Sequence, residues 1–203
     1  MTRSDRRFDW FYGLEEDYLY PTISVIEGSD HKEVMRILGV GGAEPEAMTA
    51  REALENVTRN VELVGLGEDC GLIFTVEAIG STLAVPGVLR DISRDGRCVS
   101  VSFSSEGVHS FHYAVNGELV SYEFDAEETV TPLRPGDPRW NPVWSEVPNG
   151  VDDEEVDRGV HLLALVEQIM GLAPKEQWLS ERLQTLCIPS SVRFQNTPAW
   201  DIP

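Results

Sequence analysis

The residues of this chain whose types and spacing could do chemistry together are His112, Ser121 and Glu123, with Ser100, Ser102 and Ser104 beside them. A histidine held between a hydroxyl and a carboxylate is the arrangement that activates a serine nucleophile. Their placement follows from two local signals. Val99, Val101 and Phe103 alternate with the three serines, the period-2 pattern of a strand with one apolar and one polar face. Asn116-Gly117, set between two further alternating runs, predicts a two-residue hairpin turn, because a type I′ turn needs positive φ at both central positions. Counting outward from that turn pairs Val115 with Glu118, Tyr113 with Val120, Phe111 with Tyr122 and His109 with Phe124 on one face. The other face receives Ala114 with Leu119, His112 with Ser121 and Ser110 with Glu123, and so continues the serine row. A nucleophilic serine also needs a strained turn and an oxyanion hole, which a flat strand face does not supply. The constellation therefore reads as a polar surface suited to binding, and no catalytic residue is assigned.

The other chemistry-bearing residues give less. His109 falls on the apolar face opposite Phe124 and reads as a core histidine; three residues from His112, it points away from it, so the two cannot share a metal. His31 and His161 lack ligand-spaced partners, and no metal or cofactor site is expected. Thr75 and Glu77 lie on the polar side of an apolar strand; Glu77 could serve in acid–base work but reads first as a solvated face residue. Gly65, Gly67 and Gly71 imitate a phosphate-cradling loop, yet the residues after them are strand-like, whereas such a loop must open a helix. Cys70, Cys98 and Cys187 are odd in number and without CxxC spacing, the pattern of reduced structural thiols.

The elements that must position these residues are legible in order. A strand over 22–27 begins after Pro21; Gly28-Ser29-Asp30 then caps a helix that runs to Leu38. Thr49 and Glu52 have capping-box spacing for a short helix ending near Asn56. Strands follow over 57–65 and 71–78, then a short helix over 86–93 entered through Pro86, then the meander. Residues 126–150 hold five prolines among Trp140 and Trp144, which excludes continuous helix or central strand and leaves a surface loop or an exposed binding segment. Residues 152–172 carry apolar residues at helical spacing, ended by Gly171 and Pro174. Trp178, Leu179, Leu183 and Leu186 then align as a second helix, giving a helical hairpin over 151–188 and an extended tail over 189–203. Residues 10–125 make an α+β domain: an antiparallel or mixed sheet of about six strands with helices on one face.

Composition narrows the partners. Hydrophobic residues make up 41% of 203, enough for a globular core, and no run approaches the roughly 18 apolar residues of a membrane span. The first ten residues are basic without an apolar stretch after them, so the expectation is a cytoplasmic protein rather than a secreted one. A net charge of −19 argues against direct binding to nucleic acid or an anionic membrane and suits a basic protein partner. From Glu123 to Arg158 there are eleven acidic residues against three arginines, densest at Asp152, Asp153, Glu154 and Glu155, which also fit the first turn of a helix.

Thr22-Ile-Ser-Val-Ile-Glu-Gly28 followed by Glu33-Val-Met-Arg-Ile-Leu-Gly39 resembles the opening of a mostly actinobacterial family of small proteins known only as a domain of unknown function. Val76-Glu77 with Gly80, Leu89-Arg-Asp-Ile-Ser-Arg94, and Phe111-His-Tyr113 with Gly117 extend the resemblance over about residues 10–125. It implies a bacterial domain boundary and no catalytic residue. The expected function is an acidic protein-binding module, of the inhibitor or immunity type, using Ser100, Ser102, Ser104, His112, Ser121, Glu123, Trp140, Trp144 and the 152–155 acids. The alternatives are a small-ligand-binding protein or hydrolase-like enzyme on the polar sheet face, and a structural or assembly component.

Overall fold

The computed structural model describes residues 6–16, 19–39, 44–58, 61–105, 108–123, 130–140 and 158–189. These form one antiparallel sheet with helices, an α+β fold. The strands are β1 (Thr22–Glu27), β2 (Glu46–Met48), β3 (Val61–Asp69), β4 (Leu72–Glu77), β5 (Arg97–Ser102), β6 (Ser110–Val115), β7 (Glu118–Glu123) and β8 (Leu183–Pro189), in the spatial order β2-β8-β3-β4-β1-β5-β6-β7. The helices are α1 (Phe11–Glu16), α2 (His31–Ile37), α3 (Ala50–Asn56), α4 (Pro86–Ile92), α5 (Arg158–Met170) and α6 (Gln177–Ser180), with 3-10 turns at Arg6–Phe8 and at Thr82–Ala84, the latter leading into α4.

Several local signals act as their chemistry dictates. Asp30 caps α2 by accepting from the Glu33 N–H at 2.9 Å, and Thr49 and Glu52 form a reciprocal capping box on α3. Pro86 sits in the first turn of α4, where its missing N–H costs nothing. Asn116 and Gly117 both have positive φ and join β6 to β7 as expected. Cys70 and Gly71 do the same between β3 and β4, so that hairpin is tighter than the loop expected over 66–70, and β3 runs on to Asp69.

Three expectations are corrected. The sheet has eight strands rather than about six, and helices cover both faces rather than one. On one face Ile23, Val25, Phe74, Val76, Val99, Val101, Phe111 and Tyr113 pack with α1, α3, α5 and α6; on the other Ile26, Ile73, Cys98, Ala114 and Leu119 pack with α2, α4 and Leu83. The expected second helix of a C-terminal hairpin is only the four residues of α6. Leu183 onward is β8, inserted between β2 and β3. Leu183 faces one core while Leu186 and Ile188 face the other. A strand buried on both sides lacks simple alternation, and its leucines three apart mimic a helical stripe.

The third correction is in the meander. The partner of Ala114 is Leu119 but that of Tyr113 is Ser121, so β7 carries one extra residue at Val120. The bulge puts Tyr122, rather than Ser121, across from His112, and Glu123 across from Phe111. Both sheet edges are protected. Residues 130–140 run beside β7, with the Leu133 N–H donating to Val120 O at 2.7 Å, while β2 is three residues long and its Ala47 carbonyl accepts from Arg182 at 2.7 Å. Among the described residues no helix is long and apolar enough to cross a membrane.

Candidate functional site

Strand pairing aligns the polar residues of the sheet into two transverse rows. One row runs Thr75, Ser24, Ser100, His112 and Tyr122; the other runs Glu77, Thr22, Ser102 and Ser110. Period-2 geometry thus places Thr75 and Glu77 on the serine face, as their alternation indicates. The expectation that this face is open to a partner is overturned. Ser24, Thr75, Glu77, Ser100, His112 and Ser121 are all 0% exposed. Past Glu77 the chain turns back over the sheet, with Leu83 buried at 0% and the Tyr122 hydroxyl donating to the Ala84 carbonyl at 3.0 Å. Helix α4 closes the rest.

Small hydroxyls tolerate this burial because they pair. Ser24 and Ser100 share a hydrogen bond of 2.9 Å. Thr22 donates to the Gly80 carbonyl at 2.6 Å, which leaves Ser102, 2.8 Å away, to donate to Thr22. Thr75 Oγ1 is buried without a hydrogen-bond partner among the described residues. Replacing that hydroxyl with a methyl of the same shape removes a desolvation penalty and no described bond. Thr75→Val is expected to stabilise the fold by about 1 kcal/mol, seen as a higher urea midpoint; a lower midpoint would show that the hydroxyl is bonded in solution.

The remaining expected site residues are dispersed. Ser104 accepts from the Val108 N–H at 3.1 Å and shapes the β5–β6 turn. Ser121, displaced by the bulge, donates to the Thr131 carbonyl at 2.7 Å, and Glu123 accepts from the Thr131 N–H at 2.6 Å, so both hold the segment that covers β7. Trp140 is half-buried against the core that includes α1 and α5. His112, Ser121 and Glu123 do not form a catalytic constellation. His112 lies against the Tyr122 ring with centroids 4.4 Å apart, and burial pushes its pKa down to about 3, which keeps the ring neutral. Trp144 and Asp152, Asp153, Glu154 and Glu155 lie outside the described residues.

What the sequence understated is Glu77. Its carboxylate accepts from the backbone N–H groups of Thr82 at 2.7 Å and Leu83 at 3.0 Å, bonds that fix the start of the 3-10 turn. Glu62, on the same face of β3, accepts from the Thr82 hydroxyl. The two acids converge. A Cβ placed on Gly80, which has a φ of +122°, would stand 3.3 Å from Glu77 Oε2 and 3.5 Å from Glu62 Oε2. Burial raises the Glu77 pKa to about 7, outweighing the two N–H bonds that favour the anion, and the neighbouring Glu62 carboxylate adds to the rise. The signal was Glu77 with Thr75 on the serine face; what it lacked was the cover. No group of three or more histidine, cysteine or acidic side chains among the described residues is placed to hold a metal.

Outside the sheet, carboxylates dominate one corner. Helix α3, the edge strand β2, α6 and the start of β8 adjoin one another. Glu44, Glu46, Glu55, Glu176 and Glu181 are exposed there. Of the cations at that corner, Lys175 pairs with Asp69 and Arg182 with Glu52, while Arg51 is exposed. Compared with protein-family models, with curated proteins and with solved structures, the chain matches none.

Proposed function

We propose that the chain is an acidic protein-binding module whose partner is a basic protein, engaged in the manner of an inhibitor or immunity-type protein. The observation that carries the reading is the distribution of charge. The chain has a net charge of −19, and Arg7, Arg36, Arg94, Arg97, Arg139, Lys175 and Arg182 are each already paired with one of its own carboxylates. Each such pair uses one acid for one cation, so over the whole chain the acids still outnumber the cations by nineteen, an excess that speeds the approach of a positively charged surface. The exposed acids on α3, β2 and around α6 are the described acids this reading uses; Asp152, Asp153, Glu154 and Glu155 lie outside the described residues and enter it only through the net charge. The polar sheet face takes no part in this reading, because partner contact needs exposed atoms.

Capture from the native cell at low and then moderate salt, read by mass spectrometry, tests the reading. A single basic protein that is recovered at low salt and weakened as salt rises is the expected result. Recovery of no basic protein, or of one held equally at both salts, would count against it.

A further inference from the structure

The Asn116-Gly117 turn carries a chemistry of its own besides joining β6 to β7. Where glycine follows asparagine, the glycine nitrogen can attack the carbonyl carbon of the asparagine side chain, since no Cβ crowds that nitrogen. The attack requires the nitrogen to give up its proton. Here the proton is held. The Gly117 N–H donates to the carbonyl of Ser93, the C-cap residue of α4, at 3.1 Å, and the Asn116 N–H donates to the Gly96 carbonyl at 2.8 Å. Ser93 is 0% exposed, and its carbonyl also accepts from the Gly96 N–H at 3.1 Å, so the acceptor is fixed in place. The turn lies on the end of that helix, where a Cβ on Gly117 would stand 3.5 Å from the Arg90 carbonyl oxygen and 3.9 Å from Arg94 Cα. Asn116, with a φ of +50°, is exposed, so water reaches it. The reactive pair is therefore wet on its asparagine side and locked at its nucleophile.

We propose that Asn116-Gly117 is a deamidation site gated by the contact between the β6–β7 turn and α4. While the turn rests on the helix, the Gly117 N–H stays on the Ser93 carbonyl and ring closure is blocked. When the turn lifts, hydroxide takes the Gly117 proton and the nitrogen bonds to Asn116 Cγ. The Cγ–Nδ2 bond breaks, and the side-chain nitrogen leaves as ammonia with a proton from water, which returns the hydroxide. A second water opens the cyclic imide at either carbonyl, giving aspartate or, with the chain rerouted through Cβ, isoaspartate. Water is the co-reactant, and no electrons are exchanged. Isoaspartate adds a backbone atom to a two-residue turn whose geometry sets the hairpin register, so the product cannot reseat on Ser93 as before. The change thus records an opening that has occurred, and it places a new carboxylate beside Glu118. The gate is independent of the basic-partner reading, since it involves the α4 face and not the acidic corner.

Incubation of the full chain at mildly alkaline pH, with residue 116 followed by peptide mass spectrometry that separates aspartate from isoaspartate, tests it. Asn149-Gly150, the other such pair in the sequence, calibrates the reaction in guanidinium chloride, where both pairs should convert alike. The native chain should convert Asn116 at least about tenfold more slowly than the denatured chain. Leu89 and Ile92 are fully buried residues that seat α4 on the sheet. Leu89→Ala and the milder Ile92→Val should therefore each speed both conversion of Asn116 and hydrogen–deuterium exchange of the Gly117 amide, by the same factor, because both events need the same opening. Ile92→Val removes a single methyl group, so the test stands even if Leu89→Ala does not fold. Native conversion within about twofold of the denatured rate, either rate left unchanged in both variants, or a conversion rate that does not follow Gly117 exchange would each overturn the gate.

Discussion

Replacing His112 with glutamine is expected to turn a nearly level dependence of stability on pH, between about 4.5 and 6.5, into one that falls as pH rises. Two buried groups act in opposite directions across that window. His112 is held neutral down to a pKa of about 3, against 6.5 in an unfolded chain. Between those values the unfolded chain binds a proton that the folded one refuses, so stability grows with rising pH by up to about 1.4 kcal/mol per pH unit. Glu77 has the reverse sign. Its pKa is raised from 4.5 to about 7, so the folded chain keeps a proton that the unfolded chain has lost, and that contribution, roughly 3 kcal/mol in all, is complete below 4.5 and gone above 7. The slopes cancel where the windows overlap. His112→Gln should expose the falling limb of Glu77, and Glu77→Gln the rising limb of His112, in urea midpoints taken at half-unit pH steps. A His112→Gln profile parallel to that of the wild type would contradict the neutral buried ring.

Trp178→Ala is expected to cost about 3–5 kcal/mol, the range for emptying a large aromatic site in a core. The indole lies flat on Phe74, with ring centroids 4.1 Å apart and planes 7° from parallel, and its Nε1–H donates to Asp69 Oδ2 at 3.2 Å. Room for the stack is made on the neighbouring strand, where a Cβ on Gly67 would come within 2.2 Å of the Phe74 ring. Since α6 feeds directly into β8, loss of the anchor should loosen β8 between β2 and β3 before the rest of the sheet. Chemical denaturation gives the cost, and exchange of residues 183–189 gives the order. A loss under about 1 kcal/mol would mean that the stack does not hold β8 in place.

How far these features could be read in the residues themselves depends on the range of the interaction. The Asn116-Gly117 turn, the Thr49–Glu52 capping box and Pro86 at the start of α4 are set by residues within a few positions of one another, and all are present. The β7 bulge depends on how Val120 and Ser121 meet the segment around Thr131 and Leu133, which turn chemistry does not encode. Strand β8 was hidden because Leu183 and Leu186 satisfy helical spacing as well as burial from two sides. The serine face shows the deepest limit. Alternation establishes that Ser24, Thr75, Glu77, Ser100 and His112 share a side; it is silent on whether that side is wet, and residues 78–85 with α4 decide that it is not. The meeting of Glu62 and Glu77 at Thr82 arises from the same cover, which brings together residues on β3, β4 and the segment beyond them.

The most direct test of the basic-partner reading is the association rate of the captured protein as a function of ionic strength, for the wild type and for a variant carrying Glu46→Gln, Glu55→Gln, Glu176→Gln and Glu181→Gln. Those side chains are exposed, so the fold should survive the change. The expected result is a wild-type rate that falls by about tenfold or more between roughly 0.05 and 0.3 M salt, and a variant that associates more slowly at low salt with a shallower dependence. A rate indifferent to salt and to the four substitutions would contradict an electrostatic partner surface at this corner of the sheet.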